Sequence, residues 1–209
     1  MEELKKYFQS QSLKEFKRGT VILHQGDISP CVFYVKEGYI RVYDIDENGN
    51  QKLIMVFGKD NIFPNARLTG DPAASVYYWE AMIDAKIYCA NADKMLQDVK
   101  DNPILAYHLY SYAARIIGSL QARILGLLQT FSSQKIPQVL NSLVEYAGHV
   151  DSKGFGHLDV IISHQDIASL GSVARETASL EIKKLKDRGI IRYQGRKMII
   201  NLKKLNHLS

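Results

Sequence analysis

Residues 162–191 read Ile162-Ser163-His164-Gln165-Asp166-Ile167-Ala168-Ser169-Leu170-Gly171-Ser172-Val173-Ala174-Arg175-Glu176-Thr177-Ala178-Ser179-Leu180-Glu181-Ile182-Lys183-Lys184-Leu185-Lys186-Asp187-Arg188-Gly189-Ile190-Ile191. Ser163 followed by an acid three residues on is a capping-box pattern, and it starts a short helix running to about Ser169. Leu170-Gly171-Ser172 breaks that helix. A second helix runs from about Val173 to Asp187, with Gly189 beyond its end, and Ala178, Ile182 and Leu185 supply its inward face. Ile190-Ile191-Arg192-Tyr193, the turn Gln194-Gly195 and Met198-Ile199-Ile200 then read as a two-stranded wing. A further helix is expected upstream, over roughly 135–147. Short helix, tight turn, longer helix and basic wing together make a winged helix-turn-helix.

In that arrangement Arg175 and Glu176 occupy the first turn of the helix that enters the major groove. Arginine offers a fork of donors to the O6 and N7 acceptors of guanine, and glutamate accepts from the N4 amine of cytosine. Thr177, Ser179, Lys183 and Lys184 stand where a hydroxyl or an ammonium meets phosphate. Ser163, His164 and Gln165, at the start of the preceding helix, are candidate backbone contacts. So are Arg192, Arg196 and Lys197 on the wing. The bland alternative for each is a solvated surface side chain.

The charge distribution points the same way. Lys+Arg and Asp+Glu balance over residues 1–131, and the excess of +5 falls entirely within 132–209. A neutral part joined to a basic part suggests that the second part meets a polyanion.

Working toward the N-terminus, Asn102 is a natural helix cap and Pro103 a natural first helical residue. Leu105, Leu109, Tyr112, Ile116, Leu120, Ile124, Leu127 and Phe131 then recur at steps of three or four. Ile104, Ile117, Leu125 and Leu128 form a second stripe. A helix this long and apolar on more than one side is expected to pack on its own domain and on a second chain. The first stripe, Leu105 to Leu127, is taken as the dimer interface.

Residues 1–90 read as strands. Short runs such as Cys31-Val32-Phe33-Tyr34-Val35 and Leu53-Ile54-Met55-Val56-Phe57 are separated by turn chemistry, of which Asn48-Gly49 is the strongest hairpin signal. Their number and spacing favour an antiparallel β-barrel or jelly roll. The first 18 residues are expected to form a short helix and lead-in. The division is then a β-barrel domain over 1–101, a dimerisation helix over 102–132 and the DNA-binding domain over 133–209, an α+β chain.

Composition excludes several classes. With 46% hydrophobic and 23% charged residues the chain is too apolar for intrinsic disorder. No stretch reaches the roughly 20 apolar residues of a membrane helix. The start Met1-Glu2-Glu3-Leu4-Lys5-Lys6 lacks a signal-peptide pattern, so a soluble, cytoplasmic protein is expected. Two cysteines, Cys31 and Cys89, are too few for a four-thiolate iron–sulfur cluster. They read as isolated apolar thiols, with a redox pair as the alternative. No Ser/His/Asp order, metal-ligand cluster or P-loop stands out, and no enzyme is expected.

The order of strand-rich part, long helix and winged helix-turn-helix resembles the CRP/FNR family of bacterial transcription regulators over nearly the whole chain. Residues 162–191, with Arg175-Glu176-Thr177 opening the second helix, carry the resemblance best. It implies a β domain like those that bind cyclic nucleotides. It also implies that Arg175 and Glu176 read bases and that Thr177 touches phosphate. The second arginine that the family often places five residues after the first is Leu180 here, and its usual serine is Ala174. Where cyclic-nucleotide binders carry Gly-Glu after a phenylalanine, this chain has Pro64-Asn65 after Phe63. Their later Arg-Ser is Ser75-Val76. Cyclic AMP is therefore not expected, and Arg67 reads as a surface loop residue rather than a substitute anion ligand. The resemblance implies a homodimer on a pseudo-palindromic site in double-stranded DNA, and RNA polymerase as a partner if the protein activates. The alternative is a sensor module acting through protein contacts. No effector is legible, although Tyr34, Tyr39, Tyr77, Tyr78 and Trp79 offer aromatic faces for one.

Overall fold

The structure is a computed structural model, and it describes residues 2–64, 67 and 74–208. The chain divides into two compact units, residues 1–51 with 55–117 and residues 52–54 with 118–209. In chain order the first region comprises helix α1 (Glu2–Gln9) and strands β1 (Ser12–Phe16), β2 (Val21–Leu23), β3 (Cys31–Glu37), β4 (Ile40–Ile45), β5 (Gln51–Phe57), β6 (Ile62–Phe63), β7 (Tyr78–Ala81) and β8 (Ala85–Asn91). Helices α2 (Ala92–Asp101) and α3 (Pro103–Leu128) follow. The strands form two four-stranded sheets, ordered β1-β8-β3-β6 and β2-β7-β4-β5. Every pairing given by register is antiparallel.

Aromatic rings join the two sheets. Phe33 stacks on Phe63 (5.1 Å between centroids), Phe63 on Trp79 (4.9 Å) and Trp79 on Phe57 (5.8 Å). All four are buried. The β3–β4 turn depends on glycine: Gly38 has φ +98°, and a Cβ there would lie 2.6 Å from that of Ala85.

Two expectations for this region are corrected. The lead-in after α1 is the edge strand β1, paired with β8 from Ser12↔Cys89 to Phe16↔Ala85. Its exposed, mostly polar sequence carries no alternating apolar signal. Cys31 and Cys89 are not isolated thiols. They sit on neighbouring strands with Cα atoms 5.7 Å apart and form a disulfide.

Helix α3 begins as expected. Pro103 is its first residue, and Asn102 Oδ1 accepts from the N–H groups of Ile104 and Leu105, each at 3.1 Å. The apolar stripe falls differently. Leu105, Leu109, Tyr112 and Ile116 are buried within their own chain. The Tyr112 hydroxyl accepts from Ile62 N (2.9 Å) and donates to Ile62 O (3.1 Å). These four are core rather than a free surface, because the N-terminal half of the helix must cover its own β domain. Leu120 and Ile124 are exposed and Leu127 half-exposed. The exposed apolar row runs about 100° further round the helix, through Tyr110, Ile117, Ile124 and Leu128.

In the second unit lie α4 (Ser132–Ala147), β9 (Gly148–Val150), β10 (Phe155–Leu158), α5 (His164–Gly171), α6 (Arg175–Asp187), β11 (Ile191–Gln194), β12 (Lys197–Asn201) and α7 (Leu202–Asn206). The strands form a sheet ordered β11-β12-β10-β9. Helix α4 starts three residues earlier than its sequence suggests and carries Pro137 inside it. A proline there removes one intrahelical N–H donor, which is why the pattern reads as a start near Lys135. Ile136, Val139, Leu140 and Leu143 of α4, Ile167 and Leu170 of α5, and Ile182 and Leu185 of α6 form the buried centre. No helix among the described residues is long and apolar enough to cross a membrane.

Candidate nucleic-acid interface

Helix α5 starts on the expected capping box. Ser163 Oγ accepts from Asp166 N (3.1 Å), and the Asp166 carboxylate accepts from Ser163 N (2.8 Å) and Ser163 Oγ (2.6 Å). The hydroxyl of Ser163 is thus engaged in the cap. The helix extends through Gly171, two residues beyond the expected end at Ser169. Ser172 adopts the left-handed conformation (φ 49°, ψ 51°), and Val173 N donates to Ala168 O. Ala174 is extended and offers no side-chain cap, so α6 opens directly on Arg175. With no side-chain cap, the first N–H groups of α6 lack a capping acceptor, and a helix start of that kind favours an anion.

Ala178, Ile182 and Leu185 point inward, as their spacing predicts. At 100° per residue, Arg175, Glu176, Ser179, Leu180 and Lys183 fall within about 140° of one another, with Arg175 at the edge beside the buried Ile182. Arg175, Glu176 and Lys183 are exposed and have no ion-pair partner among the described residues; Leu180 is 60% exposed. Ser179 is half-buried and lies 2.9 Å from His164 Nδ1, which ties the start of α5 to the edge of this face. Gln165 is exposed, while Thr177 is half-buried and off the face. Lys184 is turned aside, bonded at 2.9 Å to the buried Glu181, which also accepts from Ser132 Oγ.

On the wing, β11 and β12 meet through Gln194↔Lys197, which leaves Gly195-Arg196 as a two-residue turn. Gly195 has φ +61°, the requirement of a tight turn with glycine first. Arg196 sits at the tip, exposed and without an ion-pair partner among the described residues. The Arg192 guanidinium lies over the Phe155 ring at 4.8 Å. Lys197 pairs with Asp159, which also holds His149. Nearby, the carboxyl of Asp151 is pulled down to about 2 by the hydrogen bond to His157 and by the Phe155 N–H.

In the β domain the aromatic candidates separate. Tyr34 and Tyr39 line a cleft of about 370 Å³ with Lys5, Lys36, Lys59 and Tyr88. Trp79 belongs to the buried ring stack and Tyr78 stacks on Tyr43. The Ser75 hydroxyl accepts from Trp79 Nε1 and donates to Tyr77 O. Arg67, expected on a surface loop, is instead buried and bonded to Asp93 at 3.0 Å. Asn65, the residue in place of the family's glutamate, lies outside the described residues.

This is a jelly-roll β domain followed by a long helix and a winged helix-turn-helix. Residues 13–102 match the model of the cyclic nucleotide-binding domain, and residues 134–208 that of the Crp-like helix-turn-helix domain. The chain is 22% identical over 191 residues to the cAMP-activated global transcriptional regulator CRP of Haemophilus influenzae, covering 90% of this chain and 83% of that one. Among solved structures it resembles FixK2 from Bradyrhizobium japonicum (TM-score 0.77, 16% identity, 95% and 97% covered). It also resembles TTHA1359, a CRP/FNR-family regulator from Thermus thermophilus (TM-score 0.69, 25% identity, 94% and 97% covered). The chain belongs to the CRP/FNR family of transcription regulators, with a DNA-binding helix-turn-helix and a cyclic-nucleotide-binding-type domain.

Proposed function

We propose that the protein acts as a homodimer that reads a pseudo-palindromic operator through the outward face of α6. The observation that carries this is the exposed, unpaired set Arg175, Glu176 and Lys183 on one face of a helix whose opposite face is buried. Arg175 and Glu176 read base edges. Gln165, Lys183, Arg192, Arg196 and Lys197 meet the backbone, and His164, Ser179 and Ser163 position the two helices. Two copies place their recognition helices in successive major grooves about 34 Å apart. For the dimer seam, α3 offers a heptad: Tyr110, Ile117 and Ile124 recur every seven residues, with Ala113, Leu120 and Leu127 three residues after each. Isoleucine and leucine in those two positions favour a parallel pair of helices. Leu120, Ile124 and Leu127 remain on that seam.

The β domain over residues 1–101 is the sensor, and its effector is a molecule other than cyclic AMP. Ser75 stands where a phosphate-binding arginine is needed, and its hydroxyl is engaged with Trp79 and Tyr77. The Arg67 guanidinium is bonded to Asp93. Calorimetry with cyclic AMP is expected to show no binding heat, and saturable micromolar binding overturns this part.

The test of the whole reading is selection of bound sequences from a random duplex pool at stated salt. A two-fold-symmetric motif is expected. Arg175→Ala then costs about 1–3 kcal/mol and relaxes preference at one base pair per half-site. Unchanged affinity and unchanged preference sink the assignment.

A further inference from the structure

Cys31 and Cys89 are the chain's two cysteines, and they are bonded to each other. The link runs diagonally between strands, since Cys31 lies opposite Asn91 and Phe33 opposite Cys89 in the β3–β8 ladder. That places it at a junction. The Asn91 side chain accepts from Lys94 N at 2.9 Å and caps α2. Ala92 N donates to the carbonyl of Pro30, the neighbour of Cys31, at 3.0 Å. Helix α2 then passes into α3 through the single residue Asn102. The covalent link thus fastens the start of the helical run that carries the proposed dimer seam.

A protein that works on chromosomal DNA meets small thiols that keep most cysteines reduced, and disulfides found there are as a rule transient or sensing. Cys31 is partly exposed while Cys89 is buried, so an incoming thiolate reaches the Cys31 sulfur first. We propose that Cys31–Cys89 is a redox modification site exchanged by a glutathione-class thiol/disulfide couple. Its oxidised form holds the β8–α2 junction, and its reduced form loosens it. Only the consequence at the operator rests on the DNA-binding reading. In the reducing direction a small thiolate attacks Cys31 Sγ, a mixed disulfide forms and Cys89 leaves as thiolate. A second small thiolate attacks the small-thiol sulfur of that mixed disulfide and releases Cys31. The two small thiols end as their own disulfide, two electrons pass to the protein, and each cysteine takes up a proton. The small disulfide drives the reverse.

The full chain is equilibrated in glutathione buffers of graded oxidised-to-reduced ratio, trapped with N-ethylmaleimide and weighed by mass spectrometry. Amide hydrogen exchange is followed on the oxidised and reduced wild type and on Cys31→Ser and Cys89→Ser. Both cysteines are expected to pass from bonded to free within the buffer range. Amides of residues 92–101 are expected to exchange on the order of tenfold faster in the reduced protein and in both variants. Cysteines that stay free or stay bonded at every ratio overturn the site, and so does unchanged exchange in that helix. The wild-type comparison decides this even if a serine variant folds poorly. Operator affinity, measured at the same ratios, is expected to differ about fivefold between the two wild-type forms and not at all in the variants. Equal affinities overturn the regulatory consequence. Absence of operator binding in both forms overturns the DNA-binding reading instead, and the thiol and exchange results then decide the site on their own.

Discussion

Leu180 stands 60% exposed between Glu176 and Lys183 on the outward face of α6, an unusual place for a large apolar side chain. A leucine there has no donor or acceptor for a base edge, but it fits against the C5-methyl of thymine, the one apolar feature of the major groove. The selected operator is therefore expected to hold a thymine at the base pair facing Leu180. Leu180→Ala should weaken binding to that operator by about 1 kcal/mol, the low end of the range for one mismatched base pair. Leu180→Arg should move the preference toward guanine, whose O6 and N7 accept the guanidinium fork. A selection profile that keeps its base preference in both variants refutes the contact. That Arg175, Glu176 and Leu180 are exposed on the second helix was legible in the sequence, because a helix-turn-helix is written in local signals. A cap, a turn and one inward triplet fix which face points out. The pairing of His164 with Ser179 was not legible, since it depends on how α5 and α6 cross.

Helix α3 shows what happens when the local signal is ambiguous. The sequence carries two apolar stripes, and periodicity alone does not say which one covers the chain's own β domain. The Tyr112 hydrogen bonds to Ile62 decide it. Substitutions on the two stripes should therefore separate stability from association. Leu109→Ala, in the buried stripe, is expected to destabilise the fold by about 2–5 kcal/mol in urea unfolding. Tyr112→Phe leaves the Ile62 N–H and C=O without their partner and should cost about 1–3 kcal/mol. Ile117→Lys, on the exposed row, should leave the folded chain intact and shift sedimentation from dimer to monomer. A dimer that survives Ile117→Lys but falls apart with an otherwise stable Leu109→Ala returns the interface to the first stripe. The same limit explains the other misreadings. Strand β1 is recognised by what it pairs with rather than by its own Ser-Leu-Lys-Glu-Phe. Cys31 and Cys89 are 58 residues apart, and only the register of β3 and β8 brings them together.

For the molecule as a whole, the sharpest test of the interface is how its basic groups divide between reading sequence and holding the backbone. Residues 132–209 carry the entire net charge of +5, yet not all of those charges are available to DNA. Lys184 is bonded to the buried Glu181. Arg175 on the helix and Arg196 at the wing tip have no such partner among the described residues. Each phosphate neutralised contributes about 0.9 to the slope of log affinity against log salt. In a symmetric dimer Arg196→Gln removes one phosphate contact from each half-site. The slope should therefore shrink by about 2, and affinity should fall by the same factor on every duplex. Arg175→Ala should act in the opposite sense, eroding discrimination between operator and random duplex, with a smaller change of slope. Fluorescence anisotropy across a salt series, on operator and on scrambled duplex, measures both quantities for both variants. If Arg196→Gln leaves the slope unchanged, the wing does not reach the backbone, and α6 must bind DNA without it.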